Sequence, residues 1–411
     1  MSRAALLAGL LTFGAVAEES VRSVNLADAI ALAVQHNPDF RSTGYDVAAA
    51  QGAVVQASVL PNPSIEFGSF GRRLKPMDGP WPTQFGLGFT VPIGGKISAA
   101  TDAAQATLDA AKATQEAARR QLLLNVQTAF VAVQLNQLLL SFALQDQTGF
   151  HKELDLNEIR YADGKIAFGE LLKLRIQAVS TDDVVREARE QVEAARADLQ
   201  RVIGEGVLAD GFEIRGELVV PAPPSLKALD QLLLRALALR PDYQSLLQQE
   251  ASAKAQLSLA RRTPIPDLGL FVDYNRPQPG VSSSYDLTLS IPVPLFDRNQ
   301  GNISQAEAAY EKTRLAEESL RTQLRAELSK GLQEWHAASE LLAAYQGGVV
   351  DEAKESLEIT RHAYELGTGT LLDFLDAEAS YRQIESAFRA ALARTAIAAE
   401  NLQFITGEVQ P

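Results

Sequence analysis

Histidines are the side chains of this sequence best suited to hold a transition metal, because the chain of 411 residues contains no cysteine. They are scattered along segments with helical periodicity, and no two of them are four residues apart. The pattern also offers no third ligand beside any of them. The sequence therefore predicts no metal site and no cofactor. The four histidines are His36, His151, His336 and His362.

Catalytic chemistry has equally little support. Gly94-Gly95-Lys96 resembles part of a phosphate-binding loop, but it lacks the full Walker spacing and is better explained as a bend between a strand and a helix. Neither a nucleophile with a base nor a pair of catalytic carboxylates is visible. We therefore predict that the protein is not an enzyme. A net charge of -13 also disfavours binding to nucleic acid.

A tandem repeat organises the chain. Tyr161-x-x-Gly164 and Tyr364-x-x-Gly367 are 203 residues apart, as positions 161 and 364 show, and both stand between long apolar-periodic segments. We predict a signal peptide at residues 1–17, a first repeat at 18–215 and a second at 216–411. Further matches at the same offset are Pro38 with Pro241, Pro61 with Pro264, Leu199 with Leu402, and Gly204 with Gly407.

The first residues are typical of an export signal. Arg3 precedes an apolar run up to Val16, and Ala15-Val16-Ala17 has the form of a cleavage site. The alternative is a buried first helix. We expect no other stretch to approach the ~18 apolar residues of a membrane helix. Any entry into a membrane would then use β-strands.

Two segments change from helical periodicity to strict alternation, which predicts two hairpins with strands of about ten residues. The residues from Arg72 to Pro82 would form the first connecting loop. Four strands cannot close a barrel alone, so either the sheet is soluble with one buried face, or several chains close it together. The large apolar positions, expected to face lipid, are Phe85, Leu87, Phe89, Leu268, Leu270, Val272, Leu287 and Leu289.

Long helices account for most of the remaining sequence. The segment from Ile97 to Ala162 has no proline and would be ~100 Å long as one helix. Its residues Leu122, Val126 and Val133 belong to a spacing typical of a coiled-coil seam. Returning helices are predicted from Phe168 to Ile203 and from Leu371 to Ile405. The Gly- and Pro-rich segment 204–224 would join the halves outside the helices.

With these features together, the whole chain resembles the outer-membrane efflux proteins. The resemblance rests on the duplicated helix–hairpin–helix pattern, on Leu60-Pro-Asn-Pro63 and on the two tyrosine–glycine turns. The run from Ile291 to Gly301 is similar to the branch that serves cobalt–zinc–cadmium pumps. The implied fold is mainly α with a transmembrane β part, in which a homotrimer shares a twelve-stranded β-barrel and a long α-helical periplasmic barrel.

The resemblance also implies partners and a location. The protein would lie in the Gram-negative outer membrane, in contact with lipid, with its helices extending into the periplasm. It would be the passive exit duct of a tripartite system, docking through a periplasmic adaptor protein on an inner-membrane pump of the RND type. Metal cations are the expected substrate. The alternatives are a conduit for drugs or for a secreted protein, or a soluble periplasmic coiled-coil scaffold.

A periplasmic gate would lie where the turns converge. By resemblance, Asp373 and Asp376 would form rings of carboxylates at the narrowest point, and such rings attract cations. The alternative is that both are acids favoured by the helix N-terminus. Gly369 stands where the family usually has an arginine, and Lys173 would instead pair with a neighbouring acid. The expected gate residues are Tyr161, Gly164, Glu170, Lys173, Tyr364, Gly367, Asp373 and Asp376.

Overall fold

The computed structural model describes residues 21–68, 84–221, 229–276 and 282–407. The predicted leader, residues 1–17, and the loop from Arg72 to Pro82 lie outside this part of the chain. The first half folds as a short strand, two helices, a hairpin and two long helices. These elements are β1 (Val21–Val24), α1 (Leu26–His36), α2 (Pro38–Ser58), β2 (Ser64–Gly68), β3 (Gln84–Val91), α3 (Lys96–Ala162) and α4 (Phe168–Ile203).

The second half repeats this order after one connecting strand, with one difference: a five-residue π-helical turn, Tyr345–Val349, interrupts its long helix. Gly348 lies there at φ 116°, a conformation that L side chains seldom adopt. The elements are β4 (Leu208–Ile214), α5 (Leu229–Leu239), α6 (Pro241–Arg262), β5 (Leu268–Asn275), β6 (Ser284–Ser290), α7 (Gln300–Ala344), α8 (Val350–Glu365) and α9 (Leu371–Thr406).

The chain divides into two compact units, each of which takes residues from both predicted repeats. We call them the turn unit and the sheet unit after their main features. The turn unit comprises Met1–Asn37, Asn125–Val219 and Ala344–Ala396. The sheet unit comprises Pro38–Leu124, Val220–Ala343 and Ile397–Pro411.

The sheet unit contains four strands in the order β2-β3-β5-β6, with all neighbours antiparallel. Because residues directly opposite each other share a face, the register places all eight predicted lipid-facing residues on one side. The strands are 5, 8, 8 and 7 residues long, shorter than the predicted ten. The aligned pairs are Phe85 with Tyr274, Leu87 with Val272, Phe89 with Leu270, Val91 with Leu268, Leu270 with Leu289, and Val272 with Leu287.

The turn unit contains a strand pair that sequence reasoning missed. β1 pairs with β4 in parallel, and β4 lies within the segment that was predicted only to connect the halves. Val24 is fully buried in this pair, and Phe212 is 2% exposed. A parallel pair forms between segments distant in sequence, so neither four-residue β1 nor glycine-containing β4 shows a pattern that identifies it alone.

One prediction about α3 is wrong. This helix includes an 18-residue window with a mean hydropathy of 1.3 and no more than two charged side chains, so by composition it could cross a membrane. Helix packing accounts for part of its apolar character. Leu122, Val126, Phe130 and Val133 are all at most 6% exposed in the structure.

Candidate functional site at the helical turns

The two tyrosine–glycine motifs form matching turns in the turn unit. Gly164 and Gly367 both have positive φ, 72° and 76°, which ends a helix without the strain that a Cβ would add. The N–H of Gly164 donates to the carbonyl of Tyr161 at 2.9 Å, and that of Gly367 donates to Tyr364 at 3.0 Å. The duplicated sequence therefore produces a duplicated local structure.

The two tyrosines differ in their environments. Tyr364 is 4% exposed, its ring stacks on Phe374 with centroids 5.8 Å apart, and its hydroxyl donates to Oδ1 of Asn157 at 2.9 Å. Tyr161 is 41% exposed and contacts the ring of Phe168 at a tilt. Only the second copy thus anchors its turn through a buried tyrosine.

Arg160 is a site residue that sequence reasoning missed. Its guanidinium lies 5.1 Å from the ring centroid of Tyr364, and it donates to the carbonyls of Tyr364 and Glu365 at 3.4 and 3.3 Å. It makes a tyrosine–arginine contact, although position 369, where the family usually has its arginine, is a glycine. The available signal was its place directly before Tyr161, in the last turn of α3.

Gly369 itself is in close contact with the preceding helix. Its N–H donates to the carbonyl of Ala363 at 2.9 Å, and an added Cβ would lie 3.0 Å from the Cβ of Ala363. A longer side chain would need this packing to shift. The glycine is therefore explained by the turn, and the arginine contact comes from α3 instead.

A hydrophobic cluster beneath the turns joins α3, α4, α8 and α9. Its members come from the ends of all four helices, so the two turns are held on a common core. Its buried residues are Phe150, Leu174, Ala178, Leu357, Tyr364, Leu371 and Phe374.

The acidic residues at the turns are solvent-accessible to different degrees. Asp373 is exposed. Its Oδ2 accepts a hydrogen bond from Oγ1 of Thr370 at 2.7 Å, and its N–H donates to the same Oγ1. These two bonds form a capping box at the start of α9. Asp376 is exposed one turn further on. The helix-capping interpretation of Asp373 is therefore observed, and it leaves the carboxylate accessible to cations.

Glu170 and Lys173 occupy the equivalent positions in the first copy. Glu170 is partly buried. The pKa of Tyr364 is raised above its ordinary value chiefly by the burial of Tyr364 itself, and the negative charge of Glu170 raises it further. Lys173 is exposed, and no ion pair of Lys173 is found within the described part of this chain. Its pairing with a neighbouring acid remains a prediction.

Glu378 forms part of a buried ionic cluster that the sequence did not reveal. It is 4% exposed, its Oε2 has no hydrogen-bond partner within the described residues, and it lines an open pocket of about 560 Å³. Burial, chiefly, raises the pKa of Glu378 to about 7. The charged groups facing it are Asp146 and Glu153 on α3, Arg361 on α8 and Arg382 on its own helix, with Arg382 lying 3.5 Å from Asp146 and Arg361 lying 3.6 Å from Glu153.

This pKa predicts that stability falls as pH rises. An unfolded glutamate titrates near 4.3, so between about 4.5 and 7 the folded state holds a proton that the unfolded state has lost. The contribution of Glu378 to the free energy of unfolding is therefore fully present below this pH range. It is lost as pH rises through about 7. Glu378→Gln should be as stable as the parent near pH 4 and more stable above pH 7, by up to about 3 kcal/mol.

Urea unfolding of both proteins at acidic and alkaline pH measures this difference. Glu358→Gln is the matched control, because Glu358 lines the same pocket but is exposed. A difference between Glu378→Gln and the parent that does not change with pH would contradict the raised pKa.

The histidines are not gathered into one place. Nε2 of His151 lies 2.9 Å from Oδ1 of Asp182, and Nδ1 of His362 lies 3.5 Å from Oε2 of Glu365. Across residues 21–68, 84–221, 229–276 and 282–407, no group of three or more His, Asp or Glu side chains has the arrangement of a metal site.

Comparison with known proteins identifies the family to which this chain belongs. Residues 29–205 and 232–408 each match the sequence profile described as outer membrane efflux protein. Positions 29 and 232 are again 203 residues apart. The chain belongs to the outer membrane efflux protein family. The predicted family, its duplicated repeat and its location in the Gram-negative outer membrane with periplasmic helices are thereby confirmed, and so is the expectation of a channel and not an enzyme.

Individual relatives are named for different roles. The chain is 23% identical over 390 residues to the cobalt-zinc-cadmium resistance protein CzcC of Cupriavidus metallidurans, covering 95% of this chain and 91% of the relative. It is 22% identical to the alkaline protease secretion protein AprF of Pseudomonas aeruginosa, covering 63% and 56%. The solved outer membrane protein VceC of Vibrio cholerae matches with a TM-score of 0.74, 20% identity and coverage of 93% and 96%.

Proposed function

We propose that this efflux protein is the outer-membrane exit duct for metal cations in a tripartite system. The observation that carries the proposal is its likeness to CzcC over 95% of the chain, whereas the likeness to AprF covers 63%. Acidic side chains at the helical turns support the same substrate. Asp373 and Asp376 are exposed there, and carboxylates attract cations.

Three chains together would complete the β-barrel of the duct. β2 and β6 are the outer strands of the four-stranded sheet, and an open strand edge is not viable in lipid. Three sheets joined edge to edge would give twelve strands. The apolar face carries Leu287 at 72% and Leu289 at 60% exposure in the single chain, which fits a face covered by lipid.

The partners we propose are a periplasmic adaptor protein and an inner-membrane RND pump. Such a duct supplies no energy, so transport across the outer membrane needs a pump that delivers the cation to the periplasmic end. The helical turns would form that end. Three copies would place up to six carboxylates from Asp373 and Asp376 there, on three helices.

The proposal predicts the resistance profile of cells that lack the protein. Its deletion should lower tolerance to Co²⁺, Zn²⁺ or Cd²⁺, and the wild-type gene should restore it. Lower tolerance to organic drugs alone, or loss of a secreted protein, would instead support the alternative substrates. Recovery of the protein only in the soluble periplasmic fraction would support the scaffold alternative.

Purified protein gives a sharper test of the acidic turns. In planar bilayers, Zn²⁺ added on the periplasmic side should reduce the current of the parent channel, because the carboxylate rings bind it. Asp373→Ala combined with Asp376→Ala should remove this block, while the protein still has the mass of a trimer in detergent. An unchanged block would show that these acids are not the cation site.

A further inference from the structure

A row of acidic residues crosses the sheet on the face opposite the eight predicted lipid-facing side chains. Glu66 on β2 pairs with Gly86 on β3, Gly86 pairs with Asp273 on β5, and Asp273 pairs with Asp286 on β6. Successive strand residues point to opposite faces, so these four share the side away from their apolar neighbours such as Leu87. One level of the sheet thus carries a carboxylate on three of its four strands.

Asp273 distinguishes this row from an ordinary solvated acidic surface. The residue is 8% exposed, and its Oδ1 is buried without a hydrogen-bond partner in the described structure. Its partner in the register is another acid, Asp286, and like charges directly opposite each other destabilise an antiparallel pair. Asp286 accepts a hydrogen bond from Nδ2 of Asn275, whereas Oδ1 of Asp273 is buried without such a donor. A positive charge near Asp273 would offset the cost of burying this carboxylate beside a second acid.

Gly86 leaves the space into which Asp273 projects. A Cβ added at Gly86 would overlap Oδ1 of Asp273 and would lie 3.4 Å from the Cβ of Glu66. The carboxylate therefore lies over the backbone of β3, on the side toward Glu66. Any side chain at position 86 would displace it.

We propose that Asp273, with Asp286 and Glu66, binds a hydrated divalent cation on the inner face of the barrel. The cation would keep its water shell, because the described residues place no three acidic side chains in the geometry of a direct metal site. Binding through water is weak. Weak binding allows the ion to leave the site again, as conduction through a channel requires.

This site lies in the sheet unit, whereas the helical turns belong to the turn unit. Gly86 is two residues from Gln84, so the row lies in the half of β3 that is farther from α3 along the chain. The lumenal position of the row rests on the proposed barrel. Three chains would provide three such sites at one level.

Single-channel recording tests the site. In a background with Asp373→Ala and Asp376→Ala, Mg²⁺ or Zn²⁺ added on the side opposite the helical turns should still reduce the current. Asp273→Asn should abolish this block. The matched control is Asp230→Asn on α5, which removes a carboxylate that is 77% exposed, and it should be blocked like the background channel. Equal block of Asp273→Asn and Asp230→Asn overturns the proposal.

Thermal unfolding of the purified protein tests the site independently of conduction. Divalent cations should raise the Tm of the background protein but not that of Asp273→Asn, and this variant should be at least as stable as the background without cations, because the repulsion of Asp286 is removed. If the trimer conducts but Asp273→Asn changes neither the block nor the Tm response to cations, the proposed site is wrong. The proposed function is unaffected by that result. A protein that never conducts contradicts the proposed channel, and the Tm comparison still decides the site.

Discussion

Leu287→Arg is expected to prevent assembly of the protein in the outer membrane, whereas Thr288→Arg should be tolerated. Leu287 is aligned with Val272 on the apolar face of the sheet, and Thr288 is aligned with Phe271 on the opposite face. An arginine facing lipid near the bilayer midplane costs about 2–4 kcal/mol, and in a trimer that cost applies to each chain. The same arginine in a water-filled lumen costs little.

The two variants are matched, since they introduce the same side chain at adjacent positions of β6. Outer-membrane fractions should contain a trimer for Thr288→Arg and at most a trace for Leu287→Arg. If both variants assembled equally well, or if Thr288→Arg alone failed, the assignment of the faces to lipid and lumen would be wrong.

Tyr364→Ala is expected to open the helical turns and raise the leak current of the channel. The side chain is buried in the cluster beneath the turns, and replacing a large buried aromatic residue by alanine typically costs about 3–5 kcal/mol. The substitution would also remove the ring that Arg160 contacts. Oδ1 of Asn157, a residue that is 1% exposed, would lose the hydrogen bond from the Tyr364 hydroxyl. The closed arrangement should therefore become less populated.

Tyr161→Ala is the natural control, because it makes the same change in the other copy of the turn, where the side chain is 41% exposed. Its conductance in planar bilayers should stay close to that of the parent. Tyr364→Phe keeps the ring and loses only the hydroxyl bond to Asn157, so its leak should be intermediate, with a cost of about 1–3 kcal/mol. A leak from Tyr161→Ala as large as that from Tyr364→Ala would refute the distinction between the turns.

Sequence periodicity was sufficient to predict α3, α4 and the two hairpins. The predicted start of α3 at Ile97 differs by one residue from the observed Lys96, and the bounds of α4 agree. The alternation in the hairpins also predicted which strand residues share a face. These features depend on local patterns of apolar side chains, which are visible without knowledge of distant contacts.

The details of the candidate site depended on contacts between distant segments. Arg160 and Tyr364 are 204 positions apart, and the charged neighbours of Glu378 come from three helices. The pairing of β1 with β4 has the same origin. The repeat suggested that Tyr161 and Tyr364 are equivalent, but the packing around each turn made one exposed and the other buried.

The π-helical turn at Tyr345–Val349 gives the two halves of the duplication unequal mechanical stiffness. α3 runs for 67 residues with no interruption, whereas the helical path to the second turn is broken at Gly348 and restarts as the 16-residue α8. A break of this kind bends at a lower force than a continuous helix. A load applied along the helices would then be taken up as strain in α3 but as rotation of α8, and α8 carries Tyr364. The helical path to the buried Tyr364 therefore contains a hinge, whereas α3, which carries the exposed Tyr161, has none.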